Sequence, residues 1–250
     1  ALKADTAHAV MIAIALEPLY ERNRQYRELA DCLEVQAGEV GSPQAAPALE
    51  RLIPLYRDRL GDDAMAFDAA ARLFASDASA EAGCNALKEL APGVLAREPA
   101  NTRALEILDS LYSRTAAWGE LDKVLTRRIG SANDVQTRAA LLMRLAALRE
   151  GQLGAPIEAV DSYANVLRLA PEHEGAKAAI DRLLKAFEAR GAWGLVGASC
   201  AVVLEVATDA LYRRSVLRTF AKAGAADERY TDAAFASLAE AYRAAPGDRG

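Results

Sequence analysis

Apolar residues recur at three- and four-residue steps along nearly the whole chain, and strict alternation is almost absent. That periodicity predicts amphipathic helices rather than half-buried strands. Short polar or Gly/Pro clusters interrupt it at Gly41-Ser42-Pro43, Gly61-Asp62-Asp63, Ser76-Asp77, Pro92-Gly93 and Glu98-Pro99. Further interruptions fall at Ser131 to Asp134, Gly151 to Pro156, Ala170-Pro171, Gly191 and Gly224 to Asp227. Intervals of roughly 12 to 20 residues suit helices and exceed ordinary strands. About twelve or thirteen helices joined by short turns are expected. Ala201 to Val206 is rich in valine, yet its register follows that of an earlier helix, so it is read as helix as well. Pro92 is expected to bend or split the segment Ala80 to Arg97, because proline lacks a donor and clashes with the preceding turn.

One spacing returns three times. Leu16-x-x-Leu19-Tyr20 is followed by Tyr26, Leu108-x-x-Leu111-Tyr112 by Trp118, and Leu183-x-x-Ala186-Phe187 by Trp193. In each copy an apolar residue lies three beyond the second aromatic (Leu29, Leu121, Val196) and another four beyond that (Leu33, Leu125, Cys200). A second kind of unit joins a Leu-Gly turn to an alanine-spaced helix, in Leu60-Gly61 through Phe67 and in Leu153-Gly154 through Val160. The latter helix closes at Ala170-Pro171, and a relative without the Leu-Gly turn runs from Tyr230 through Ala234-Phe235 to Ala245-Pro246. Glycine permits the left-handed turn that ends a helix, and proline forbids its continuation. Such internal repetition marks a stacked architecture, in which each helix pair buries its apolar face on its neighbours.

On these residues the chain resembles the tetratricopeptide repeat family, with degenerate units. Each unit of that family is a helix–turn–helix of about 34 residues with bulky apolar positions in its first helix and a small residue in its second. The best match begins at Thr102. Leu105, Leu108 and Tyr112 fit the first helix there, and Trp118 fits the aromatic that opens the second. Gly154, Ala159, Tyr163 and Pro171 match the turn glycine, helix alanine, helix aromatic and terminal proline of another unit. Spacing between equivalent aromatics varies, and Ala80 to Arg97 matches no unit.

The resemblance implies an all-α fold: an α-solenoid of antiparallel helix pairs in a right-handed superhelix, forming a single array over residues 1–250. It implies further that polar positions on the first helix of a unit line a groove that holds a partner. Those positions are Arg103, Glu106, Ser110 and Arg114, whose steps of three and four place them on one stripe opposite Leu105, Leu108 and Tyr112.

Composition narrows the function. Apolar residues make up 52% of the chain and charged residues 26%, so it is neither disordered nor membrane-like. Much of the apolar share is alanine, which favours many close helix–helix contacts over one thick core. A net charge of −5 lacks the cationic footprint of a nucleic-acid binder. The basic pairs Arg127-Arg128 and Arg213-Arg214 read as solvated helix faces. Cys32, Cys84 and Cys200 are scattered and odd in number, which fits buried thiols in a reducing compartment. A cytoplasmic setting is expected, with the periplasm left open. No apolar run approaches the ~18 residues that span a bilayer. The longest, Ala9 to Leu16, shows no cleavage site after it. The chain begins with Ala and reads as an excised fragment.

Candidate chemistry is sparse. Gly191, Gly194 and Gly197 are spaced glycines, but a helix precedes them where a dinucleotide cradle needs a strand. His8 and His173 are the only histidines. Glu172-His173-Glu174 opens a helix, and adjacent residues there point in different directions, so no shared metal geometry is expected. No catalytic, cofactor-binding or metal-binding residues are assigned. Most of the six paired aromatics are expected in the core, with Trp118→Ala destabilising by about 3–5 kcal/mol. The helix Ala7 to Leu16 is apolar nearly all round and should be covered on both sides unless it lies across the first pair. A non-enzymatic scaffold that captures a protein or peptide is the leading expectation. The alternatives are an assembly element working through Ala7 to Leu16, and a regulatory array fused to an enzyme or membrane domain outside these residues.

Overall fold

The computed structural model of the protein describes residues 2–38, 44–76 and 81–244. The breaks read at Gly41-Ser42-Pro43, at Asp77 and at Ala245-Pro246 lie outside those residues. Among the described residues there is no strand, and thirteen α-helices account for the periodicity. They fall into two compact units, Ala1–Thr115 and Ala116–Gly250.

The first unit holds α1 (Leu2–Asn23), α2 (Tyr26–Ala37), α3 (Ala45–Pro54), α4 (Asp63–Ser76), α5 (Glu81–Arg97) and α6 (Thr102–Arg114). Helix α3 runs on into a π-helical turn, Leu55–Leu60. Each helix packs on the next in chain order. The buried side chains are those at three- and four-residue steps, such as Leu49, Leu52 and Ile53 on α3 and Ala66, Ala70, Leu73 and Phe74 on α4.

The second unit holds α7 (Trp118–Ser131), α8 (Val135–Gly151), α9 (Pro156–Leu169), α10 (Glu174–Ala189), α11 (Trp193–Val206), α12 (Ala210–Ala226) and α13 (Thr231–Ala244). A short 3-10 turn, Glu228–Tyr230, precedes α13. Consecutive helices again pack in order, and α9 also touches α11. Val160, Tyr163, Leu167, Ile180, Phe187 and Val196 form the centre of its core. Several helix starts are fixed by side chains that accept an otherwise orphaned backbone N–H: Asp134 from Thr137, and Asp209 from Leu211 and Tyr212. Pro156 opens α9 at a position where its missing donor costs nothing.

Both kinds of unit read from the sequence turn out to share one corner. Arg24, Gly61, Ala116, Gly154 and Gly191 all have φ between 52° and 66°, and in every case the next helix begins two residues later. At two of these corners the hydrogen bonds are identical in register. Arg24 and Gln25 donate to Glu21 and Tyr20, and Gly191 and Ala192 donate to Glu188 and Phe187. The left-handed residue lets the chain satisfy the last carbonyls of one helix and start the next at once. The six-residue interval between paired aromatics is therefore a turn dimension, because the second ring sits on the first residue of the following helix.

Three expectations need correction. Helix α5 passes through Pro92 as one helix, not two. Losing one backbone donor is outweighed by burial on both sides of it, through Leu87, Leu90, Ala91 and Leu95. Gly224 lies within α12, which ends two residues later. The aromatic pairs are also not uniformly core: Tyr112 and Phe187 are buried, whereas Tyr20, Tyr26, Trp118 and Trp193 are half-buried. Tyr26, Trp118 and Trp193 stand at the first position of a helix, at the corner of a hairpin. Ala201 to Val206 is helical, as its register indicates.

Helix α1 packs on α2 through one narrow side, with Val10 and Ala13 buried. Met11, Ile12, Ile14 and Leu19 on its other side stay exposed, Met11 at 69%.

Candidate functional site

Helix α6 begins cleanly because the Asn101 side chain accepts the Ala104 N–H at 2.9 Å. From that cap the helix turns Ala104, Leu105, Leu108, Leu111 and Tyr112 into the core. Arg103, Glu106, Ser110 and Arg114 consequently share the exposed side. All four line one open groove of about 380 Å³, whose other wall is α4. Ala71, Phe74 and Ala75 of α4 and Ile107 of α6 supply its apolar lining.

The walls are tied together by charge. Arg103 pairs with Asp68 of α4. Arg72, also on α4 and in the groove, lies 3.9 Å from Asp68 and 2.6 Å from Glu34 of α2. Glu34 in turn accepts from the Tyr56 hydroxyl at 3.1 Å. Burial, reinforced by the Glu34 carboxylate, pushes the Tyr56 hydroxyl well above the ordinary phenol range, so it remains a donor. A chain of polar contacts thus runs from the π-helical turn after α3 through α2 and α4 to α6. The Arg114 guanidinium carbon stands 4.5 Å from the centroid of the Phe74 ring, close enough for a cation–π contact. The result is a preformed trough with small and aromatic residues below and charged groups on both rims. It suits an extended segment that offers an apolar side chain between polar ones.

Sequence reasoning found the α6 wall and missed the α4 wall. Arg72 and Phe74 lie about thirty residues earlier, and no local spacing links them to α6. The alanines Ala71 and Ala75 that flank Arg72 and Phe74 are the one available signal, since small residues beside an aromatic leave room for a ligand.

The other candidates resolve as structure. Gly191 makes the left-handed corner described above, and Gly197 lets the Tyr230 ring lie directly on α11, where a Cβ would overlap it. The His173 ring accepts the Ala176 N–H at 3.1 Å and caps α10. Glu172 and Glu174 both accept from Lys177, at 3.1 and 3.3 Å. No group of metal-ligating side chains is present among the described residues. None of the three cysteines is in a disulfide. Burial, with the Glu188 charge adding to it, pushes the Cys200 thiol up to about 12, which keeps it protonated and unreactive. Among the described residues no helix is long and apolar enough to cross a membrane.

No family model matches the sequence, and no curated protein matches it. Solved structures similar to it include two that cover 90% or more of this chain. One, described as MamA protein, is 14% identical, with 90% of this chain and 96% of that chain covered and a TM-score of 0.30. The other is the C-terminal part of a TPR repeat-containing protein from Cytophaga hutchinsonii, 15% identical over 96% of each chain, with a TM-score of 0.25.

Proposed function

We propose that this chain is a non-catalytic scaffold that holds a segment of a partner protein in the groove between α4 and α6. The observation that carries this reading is the meeting of Arg103, Glu106, Ser110 and Arg114 in one open groove with an apolar lining. The groove walls are held by side-chain pairs already made in the free protein, so a segment entering it would spend little free energy on ordering the site. A photo-crosslinking residue placed at Ser110, with the same residue at exposed Arg168 as control, tests it. Discrete cross-links to a protein at position 110 that vanish when Arg103, Glu106 and Arg114 are replaced together support the groove. Cross-links that persist in the triple variant refute it.

A second reading is favoured by the exposed side of α1. Met11 and Ile12 are 69% and 60% accessible, and Ile14 and Leu19 are exposed as well. Several large apolar side chains left exposed on one helix suit self-association or insertion into a larger complex. Light scattering on the protein and on a Met11→Glu, Ile14→Glu variant separates the readings. Only an assembly element changes mass.

A further inference from the structure

A second groove, of about 470 Å³, opens in the first unit where the α1–α2 corner meets the end of α3. Its apolar floor is Leu29, Leu33, Pro54 and Leu55, and its rim carries Arg22, Arg24 and Arg59. Glu21, Asp58 and Arg51 line it as well, and each of these is already engaged. Glu21 lies 3.6 Å from Arg51, which also pairs with Glu17, and Asp58 holds Arg57 at 2.8 Å. Among the described residues no carboxylate pairs with Arg22, Arg24 or Arg59. Arg59 is positioned all the same, with its guanidinium carbon 5.5 Å from the centroid of the Tyr26 ring.

Local irregularities of the backbone converge on this rim. Arg24 holds φ at 56°, a left-handed conformation that three of the four other corners give to glycine and the fourth to alanine. A bulky side chain is disfavoured there, and such residues cluster where a side chain is needed for binding. Leu55, Asp58 and Arg59 belong to the π-helical turn that follows Pro54, a widening that recurs at functional sites and swings side chains out of ordinary register. Two departures from local backbone rules, at Arg24 and at the π-helical turn, thus adjoin this groove.

We propose that the groove rimmed by Arg22, Arg24 and Arg59 docks an acidic peptide segment of a partner protein, with an apolar side chain on the Leu29–Leu55 floor and flanking carboxylates on the arginines. Charge complementarity identifies the occupant. The Arg22, Arg24 and Arg59 guanidinium groups, none of them in a salt bridge among the described residues, rim an apolar floor, and planar guanidinium groups favour carboxylates through paired hydrogen bonds. This surface is separate from the α4–α6 groove and does not depend on that assignment.

The test uses the full chain and a fluorescein-labelled peptide, Asp-Glu-Leu-Asp-Glu, followed by fluorescence anisotropy at low salt. Its amide counterpart, Asn-Gln-Leu-Asn-Gln, is the control. Saturable binding of the acidic peptide alone is expected, and an Arg22→Gln, Arg59→Gln variant should weaken it by about tenfold or more. Arg24→Gly should weaken binding while leaving the melting temperature unchanged or higher, which separates a binding role from a folding one. Arg103→Gln with Arg114→Gln should leave the affinity unchanged. Equal affinity for the amide peptide, no saturable binding, or insensitivity to Arg22, Arg24 and Arg59 overturns the proposal. Tighter binding of phosphatidylserine vesicles or of a single-stranded oligonucleotide, lost in the same variants, overturns it too by giving the rim to another class of partner.

Discussion

Arg114 lies over Phe74, its guanidinium carbon 4.5 Å from the ring centroid. The contact closes one end of the α4–α6 groove and covers a ring that is otherwise part of the core. An exposed cation–π pair contributes about 0.5–1 kcal/mol. Arg114→Gln should therefore lower unfolding free energy by no more than about 1 kcal/mol, measured in urea, while it abolishes cross-linking from position 110. A large loss of stability would show Arg114 to be a core strut rather than a groove residue.

Two aromatics at opposite ends of the repeat spacing should respond differently. Phe187 is 3% exposed, and its truncation to alanine should cost about 3–5 kcal/mol. Trp118 is only half-buried at the start of α7, so Trp118→Ala should cost clearly less than that. Denaturant titrations of the two variants side by side check the order. Equal losses would mean that the corner aromatics bear as much of the packing as the helix-interior ones.

The acid limb of stability should depend on Asp209. Its carboxylate receives the Lys177 ammonium at 2.6 Å and the Leu211 and Tyr212 N–H groups at 3.0 and 3.4 Å. Lys177 chiefly, with those amides, holds the carboxyl below the ordinary Asp range. A depressed folded value gives stability that is present above the unfolded value near ~3.9 and lost as pH falls through the folded one. Asp209→Asn should thus lower the melting temperature at neutral pH, and the difference between the two proteins should shrink as pH falls below the ordinary Asp range. A constant difference between them at every pH would show that the cap geometry, not the charge, is what matters.

Glycines that look alike in the sequence should separate by what surrounds them. A Cβ on Gly197 would overlap the Tyr230 ring, whereas one on Gly119 meets nothing within 4 Å. Gly197→Ala should destabilise by about 1–3 kcal/mol through overpacking. Gly119→Ala should be neutral or stabilising by up to about 1 kcal/mol through helix propensity. Thermal melts of both variants decide it, and a stable Gly197→Ala protein would refute the tight seat of Tyr230.

Much of the fold was legible because helices are local. A three- and four-residue period, a turn glycine and a proline each act within a few residues, so α9 and its flanks at Gly154, Pro156 and Pro171 could be read directly. The α6 stripe was legible for the same reason, since helical geometry alone puts Arg103, Glu106, Ser110 and Arg114 on one side. Pro92 misled because its effect is a contest between one lost hydrogen bond and burial by residues elsewhere in the chain. The glycine-like corners at Arg24 and Ala116 were hidden because nothing in those side chains announces a left-handed backbone.

The sequence by itself determined the helices, most of their ends, and which face of each is apolar, since those follow from local backbone and side-chain preferences. Only the tertiary structure decided that α4 faces α6 across a groove, that Arg22, Arg24 and Arg59 share a rim, and that Met11 and Ile12 remain exposed. Those relations join residues far apart in the chain, and their free energy comes from packing between helices, which no single helix encodes.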